Sequence, residues 1–242
     1  MPDDIEDLSS LVGGFYDESK SHSGQYEIGQ IVFVPVLEMR RKPFIADAIR
    51  TNSYTHSEVT LHIRDQNDDD FKGKEKRTPI KALRLDENHE LVLSRAKCRP
   101  SLIIGKTNGI DLSTIPAGRQ RDRLLNGFAD MYLLAPIYSI STSDKIRAFG
   151  PVITARIKCL MYPEFIYMPR SGGILKVPGV ARLDHLFVHA LTAGINHTDL
   201  FAIDEIMAVA HEQLKILIGK EPSDKYLEAR ELLLEFLPDD YK

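Results

Sequence analysis

Apolar and polar residues alternate with a period near two through most of the chain, and with a period near 3.6 in roughly the last 40 residues. The run GQIVFVPVLEM predicts a half-buried or central strand over about Gln30–Val36, rich in β-branched residues. SEVTLHIR (57–64) sets Val59, Leu61 and Ile63 against polar neighbours, the pattern of a strand with one buried face. IKALRL and ELVLSR predict two more strands joined by a DENH turn. SLIIGK follows, and YLLAPIYS (132–139) reads as a buried strand. Ile153, Ile157 and Leu160 have helical spacing, which predicts a helix of about 12 residues before Tyr162-Pro163. EFIYMPRSGGILKVPGVARLDHLFV predicts short strands split at Ser171-Gly172-Gly173.

The C-terminal pattern is helical. Positions 203, 206, 207, 210, 214, 217 and 218 are apolar; Asp204 or Asp199 can cap the start, and Gly219 with Pro222 stops it. A second helix starts at a Ser223 cap, carries a stripe at 229, 232, 233, 236 and 237, and ends at Pro238. Many strands followed by two helices predict an α+β fold with a small antiparallel sheet or barrel, not a doubly wound sheet. Residues 1–27 are polar and acidic and read as a flexible arm. The expected organisation is that arm, a domain over 28–195 with inserted strands at about 43–97, and a helical pair over 196–242.

The chain has 242 residues, 43% hydrophobic and 27% charged, an ordinary globular balance. No apolar run reaches the length of about 18 residues that a spanning helix needs, and MPDDIEDLSS is no secretory signal, so a cytoplasmic protein without a membrane partner is expected. Cys98 and Cys159 form no paired motif and read as reduced, semi-buried residues. Charge is segregated: residues 72–123 hold 13 Lys/Arg against 6 Asp/Glu, and residues 194–242 hold 5 against 11. The basic middle can attract phosphate.

Candidate chemistry is sparse. RAKCRPSLIIGKT ends in Gly105-Lys106-Thr107, but Pro100 stands where a phosphate-cradling loop needs its first glycine, so this is a strand and turn. His185 and His189 are four apart without a third ligand at a recognisable spacing, and a structural role is expected. Asp68-Asp69-Asp70 lacks the calcium-loop pattern and reads as a solvated turn. His56 and His62 lie too far apart along a strand to share an ion. No nucleophile elbow is present. No metal or cofactor is expected. What remains is Arg99, at the entry of a strand, and the hydroxyl-rich stretch Tyr138, Ser139, Ser141, Thr142 and Ser143. Arginine suits phosphate because its planar fork donates in pairs and stays charged.

Taken in order, GQIVFV (29–34), CRPSLII (98–104), YLLAPIYS (132–139), VARLDHL (180–186) and the helix IDEIMAVAHEQL (203–214) resemble the PemK/MazF family of toxin endoribonucleases. The resemblance implies a small, curved antiparallel SH3-like barrel with C-terminal amphipathic helices, commonly a homodimer. It implies metal-independent hydrolase activity on single-stranded RNA in a toxin–antitoxin or related defence system, with a cognate antitoxin as partner. Arg99 matches the family's phosphate-stabilising arginine. Tyr138 stands where the family has a threonine, with Ser139 beside it. Arg99, Tyr138 and Ser139 are therefore the expected catalytic residues, and Lys97, Lys106, Arg119, Arg121 and Ser141 the expected RNA contacts. The Tyr138 replacement and the long insertion leave a second expectation, a module that binds RNA or protein without cleavage.

Overall fold

The computed structural model describes residues 6–38, 42–50, 52, 54, 58–72, 83, 85, 89–107, 118, 131–140, 149–191 and 195–242. In chain order the elements are α1 (Leu8–Val12), β1 (Gln30–Leu37), β2 (Phe44–Arg50), β3 (Val59–Asp65), β4 (Leu91–Leu93), β5 (Ala96–Lys106) and β6 (Met131–Ser139). They continue with α2 (Pro151–Lys158), β7 (Phe165–Met168), β8 (Gly179–Arg182), a 3-10 turn (Leu183–His185), β9 (Phe187–Ala190), β10 (Asn196–Phe201), α3 (Asp204–Leu217), α4 (Asp224–Glu235) and a last 3-10 turn (Asp239–Tyr241). The fold is α+β with antiparallel sheets, and no helix among the described residues is long and apolar enough to cross a membrane. The chain divides into two compact units, Met1–Val34 with Cys98–Lys242, and Pro35–Lys97.

The larger unit is built on a sheet in the order β10-β1-β5-β6-β8-β7, with β9 also on β6. One face packs on the helices: Ile31, Leu102, Ile104, Ala135 and Ile137 share a core with Ile206 and Ala210 of α3 and Tyr226 and Leu233 of α4. Ile103 and Leu134 pair with each other on the opposite face and are also fully buried. Burial on both faces explains why SLII and YLLAPI are continuous apolar runs.

Two irregularities break the sheet's regular pairing. Ile103 pairs with Leu134 but Gly105 pairs with Leu133, so Ile104 is an extra residue, a β-bulge. A bulge leaves ladder groups unpaired, and here the Ile104 carbonyl accepts instead from His211 Nε2 of α3 at 3.0 Å. The second irregularity is the 3-10 turn over Leu183–His185. β8 and β9 lie along the same edge of β6, but their registers differ by three residues: Ile137 pairs with Ala181, whereas Leu134 pairs with Phe187. The turn absorbs that slip and closes what would otherwise be one long strand.

Several expectations change. Residues 6–27 are not a loose arm: Leu8 and Phe15 are buried in the core, and Tyr16 bridges to Ala202. The middle helix is α2, eight residues, opened by Pro151 at its first turn. Neither Asp204 nor Asp199 caps α3; Ile203 holds the cap position, and Asp204 and Glu205 lie in the first turn, where their charge favours the helix dipole. Gly219, with φ of +74°, ends α3 as expected. On α4 the buried positions are Tyr226 and Leu233, followed by Leu237, while Leu232 and Phe236 are exposed. Cys98 is exposed and Cys159 buried, and burial pushes the Cys159 thiol up to about 11. IKALRL lies largely outside the described residues, as does His56.

The Pro35–Lys97 unit holds a three-stranded sheet in the order β3-β2-β4. Its register places Val59, Leu61 and Ile63 beside Phe44, Ala46 and Ala48 and next to Leu91 and Leu93, so the alternation does make one apolar face. That face is not buried as expected, because Leu61 and Ile63 are 49% and 59% exposed. The other face carries charge. Arg64 donates to Asp47 at 2.6 and 3.2 Å and to Asp70 at 2.6 and 2.9 Å. Asp70 is therefore not in a solvated turn: its side chain is fully covered, and it also accepts the Asn67 amide at 2.8 Å.

Candidate functional site

The first half of β5 passes from exposed to fully buried, and Arg99 sits at the transition. Ser101 pairs with Pro136, so regular pairing sets Arg99 across from Tyr138. Their side chains meet: the Arg99 guanidinium lies 4.4 Å from the Tyr138 ring centroid, within cation–π range. The third strand contributes as well. Tyr138 pairs with Val180 of β8, which places Arg182 on the same face one pleat further along. The Arg182 guanidinium is 5.9 Å from the Tyr138 ring and 5.3 Å from that of Phe165.

Gly179 allows this approach. A Cβ there would lie 2.9 Å from both Ile137 Cγ2 and the Tyr138 carbonyl oxygen, so only glycine lets β8 come this close to β6.

The 3-10 turn that follows β8 adds an acid and an imidazole. Arg182 Nε donates to Asp184 Oδ1 at 2.8 Å, and its Nη2 donates to Asp184 Oδ2, a bidentate pair. Burial acts to raise the Asp184 pKa, but the Arg182 hydrogen bond and charge, with the His185 charge, bring it below the usual carboxylate range. The hydrogen bond to Asp184 raises Arg182 in turn. His185 Nε2 is 3.8 Å from Asp184 Oδ2, and its ring stands edge-on to Tyr138 with centroids 6.1 Å apart. Arg99, Tyr138, Arg182, Asp184 and His185 thus form one cluster.

The two arginines differ in one respect. Arg182 spends its paired donors on Asp184. Arg99 has no hydrogen-bond or carboxylate partner among the described residues; its guanidinium lies over the Tyr138 ring. A guanidinium held over an aromatic ring keeps its position while its N–H donors can still meet a planar or tetrahedral anion.

Of the expected residues, Arg99 and Tyr138 come together. Ser139 is exposed and, as the next residue of the strand, points to the opposite face from Tyr138. Lys97 is exposed and belongs to the Pro35–Lys97 unit. Lys106 lies at the far end of β5, with its ammonium 5.6 Å from the Tyr132 ring. Arg119, Arg121 and Ser141 lie outside the described residues. The reading of His185 and His189 as a spaced pair does not reveal their places: His185 is in the 3-10 turn, whereas His189 is in β9 with Nδ1 2.8 Å from the Ala190 carbonyl. Sequence reasoning gave Arg182 and Asp184 no role and His185 only a structural one. Their signal was the charged R-x-D-H run straight after a short apolar strand. No group of three or more potential metal ligands gathers among the described residues.

No family model matches the chain, and no curated protein or solved structure is significantly similar to it.

Proposed function

We propose that the chain acts on single-stranded RNA in the manner of a PemK/MazF-like toxin, as a metal-independent endoribonuclease centred on Arg99. The observation that carries this reading is the Arg99 guanidinium, held over the Tyr138 ring with no hydrogen-bond acceptor among the described residues. In cleavage by the RNA's own 2′-hydroxyl, negative charge builds on the phosphoryl oxygens, and a preorganised cation there lowers the barrier. Arg99 takes that role. Tyr138 anchors it and offers its phenol as a hydrogen-bond donor. His185, oriented toward Asp184, is the group placed to move a proton to or from a reacting oxygen. The sheet corresponds in this reading to an SH3-like barrel, with α3 and α4 against it. A cognate antitoxin covering Arg99, a second copy of the chain and a cytoplasmic setting belong to the same proposal.

The test is incubation of the purified protein with single-stranded RNA in the presence of a chelator. The expected products carry 2′,3′-cyclic phosphate ends, and Arg99→Ala slows their formation by about two to three orders of magnitude. Equal cleavage by both proteins refutes the mechanism.

One observation favours a second reading, a binding module without cleavage. Tyr138 is a ring under one guanidinium and near another, where the family has a compact threonine. That reading predicts no cleavage, but salt-sensitive RNA binding that Arg99→Ala weakens.

A further inference from the structure

A cavity of about 790 Å³ lies at the other end of the β5–β6 pair from Arg99, lined by His22, Tyr26, Lys106, Tyr132, Asn196 and His197 among others. Its size falls in the range of small-molecule sites. Three features make it a built site. The His22 and His197 rings are stacked, with centroids 4.0 Å apart and planes 21° from parallel. Tyr26 meets Tyr132 edge-on at 5.9 Å, and Lys106 holds its ammonium 5.6 Å from the Tyr132 ring. His22 is fixed from behind by Gln30, which is fully buried. Gln30 Oε1 accepts the Glu27 amide at 3.3 Å and its Nε2 donates to the Thr198 carbonyl at 2.8 Å, so the amide orientation is set. The same Nε2 lies 3.0 Å from His22 Nδ1, which must therefore accept. That contact orients the His22 ring against His197.

The two cation–tyrosine pairs are also related. Tyr132 and Tyr138 are six residues apart on the regularly paired β6, so they share a face at roughly 20 Å separation. Arg99 and Lys106 are seven apart, an odd spacing that would send them to opposite faces of a regular strand. The bulge at Ile104 restores Lys106 to the face of Arg99, across from Tyr132.

We propose that this cavity takes one nucleotide unit, its base against the imidazole and phenol rings and its phosphate on Lys106. Stacked planar rings beside a cation suit a base with its phosphate, which is how sequence-tolerant single-strand binders work. The proposal rests on the RNA reading above for the strand that delivers the nucleotide, and it makes the cavity a second contact, separate from the Arg99 cluster.

The experiment has two arms. Fluorescence anisotropy follows a labelled decaribonucleotide, and the ring-proton NMR signals of His22 and His197 follow titration with AMP and UMP and with the same decamer. Lys106→Ala and His197→Ala are each expected to weaken decamer binding about tenfold. Both substitutions fall at exposed positions, so folding is retained. Histidine shifts with mononucleotides and decamer alike place a nucleotide there from either source, and shifts with the decamer alone restrict the site to a strand. Unmoved histidine signals in both arms, or equal decamer affinity for wild type and the Lys106→Ala/His197→Ala double variant, overturn the proposal. An acidic peptide that shifts the histidines while RNA does not also overturns it. If Arg99→Ala leaves cleavage unchanged, the catalytic reading fails while the histidine shifts still stand, so the two fail separately.

Discussion

The two ends of the β5–β6 pair carry the same device in different settings. At one end Arg99 lies on Tyr138, a second arginine and a histidine stand by the same ring, and an aspartate is held on that arginine. At the other end Lys106 lies near Tyr132, beside an open cavity whose other walls are stacked rings. In either place a tyrosine ring lies beside a cation. What differs is the supply of proton-carrying groups close to that cation. His185 and Asp184 stand by the first pair, which suits chemistry. His22, oriented by Gln30 and stacked on His197, stands by the second, which suits holding a base.

Under the proposed function, the largest expected difference between the two ends is in RNA cleavage. Arg99→Ala is expected to cost about two to three orders of magnitude in rate, and His185→Gln about two, while Lys106→Ala leaves the rate at saturating RNA within a few-fold. Equal losses at both ends would merge the two sites into one. Lysine for Arg99 should recover little, since an ammonium lacks the flat fork that rests on Tyr138 and pairs with phosphate, whereas Lys106→Arg should bind RNA as well as the parent. Single-turnover rates and anisotropy separate these outcomes.

Gly179→Ala is the next step down. Its Cβ would press on the Tyr138 backbone, so stability should fall by about 1–3 kcal/mol in thermal or chemical melts. RNA contact at Arg99 should weaken with it, and nucleotide binding at Lys106 should not. The smallest expected effect is with pH. Asp184 has its native pKa below the ordinary value, so its contribution to stability is full above the ordinary carboxylate pKa, near 4, and is lost as pH falls through the lower native one. Melts between pH 5 and 8 should therefore show no change from the Arg182–Asp184 pair. A loss in that window, absent in Asp184→Asn, would show that the pair is not formed.

Most strands and both long helices were legible because their periodicity is local. Leu102 and Ile104, or Ile206 and Ala210, declare a buried face whatever they pack against. Arg99 and Tyr138 were legible as single residues, and their opposition across two strands was not. In the Pro35–Lys97 unit the alternation of β3 correctly marked an apolar face but not its exposure, because exposure depends on what lies over a strand. The ion pairs of Asp70 were hidden for a similar reason: three aspartates in a row look solvated until Arg64 is found beside one of them.

The sequence by itself determined the α+β order, the apolar faces, the helix stop at Gly219, and an arginine–proline pair leading into a buried strand. The tertiary structure alone decided which cation meets which ring. An extra residue at Ile104 turns Lys106 onto the face of Arg99, and the 3-10 turn at a three-residue slip sets His185 by Tyr138 and Asp184 on Arg182. Register depends on pairing between residues distant in the chain, and a shift of one residue reverses every side chain beyond it. Local pattern can say that a strand exists, but only its partners set where its side chains point.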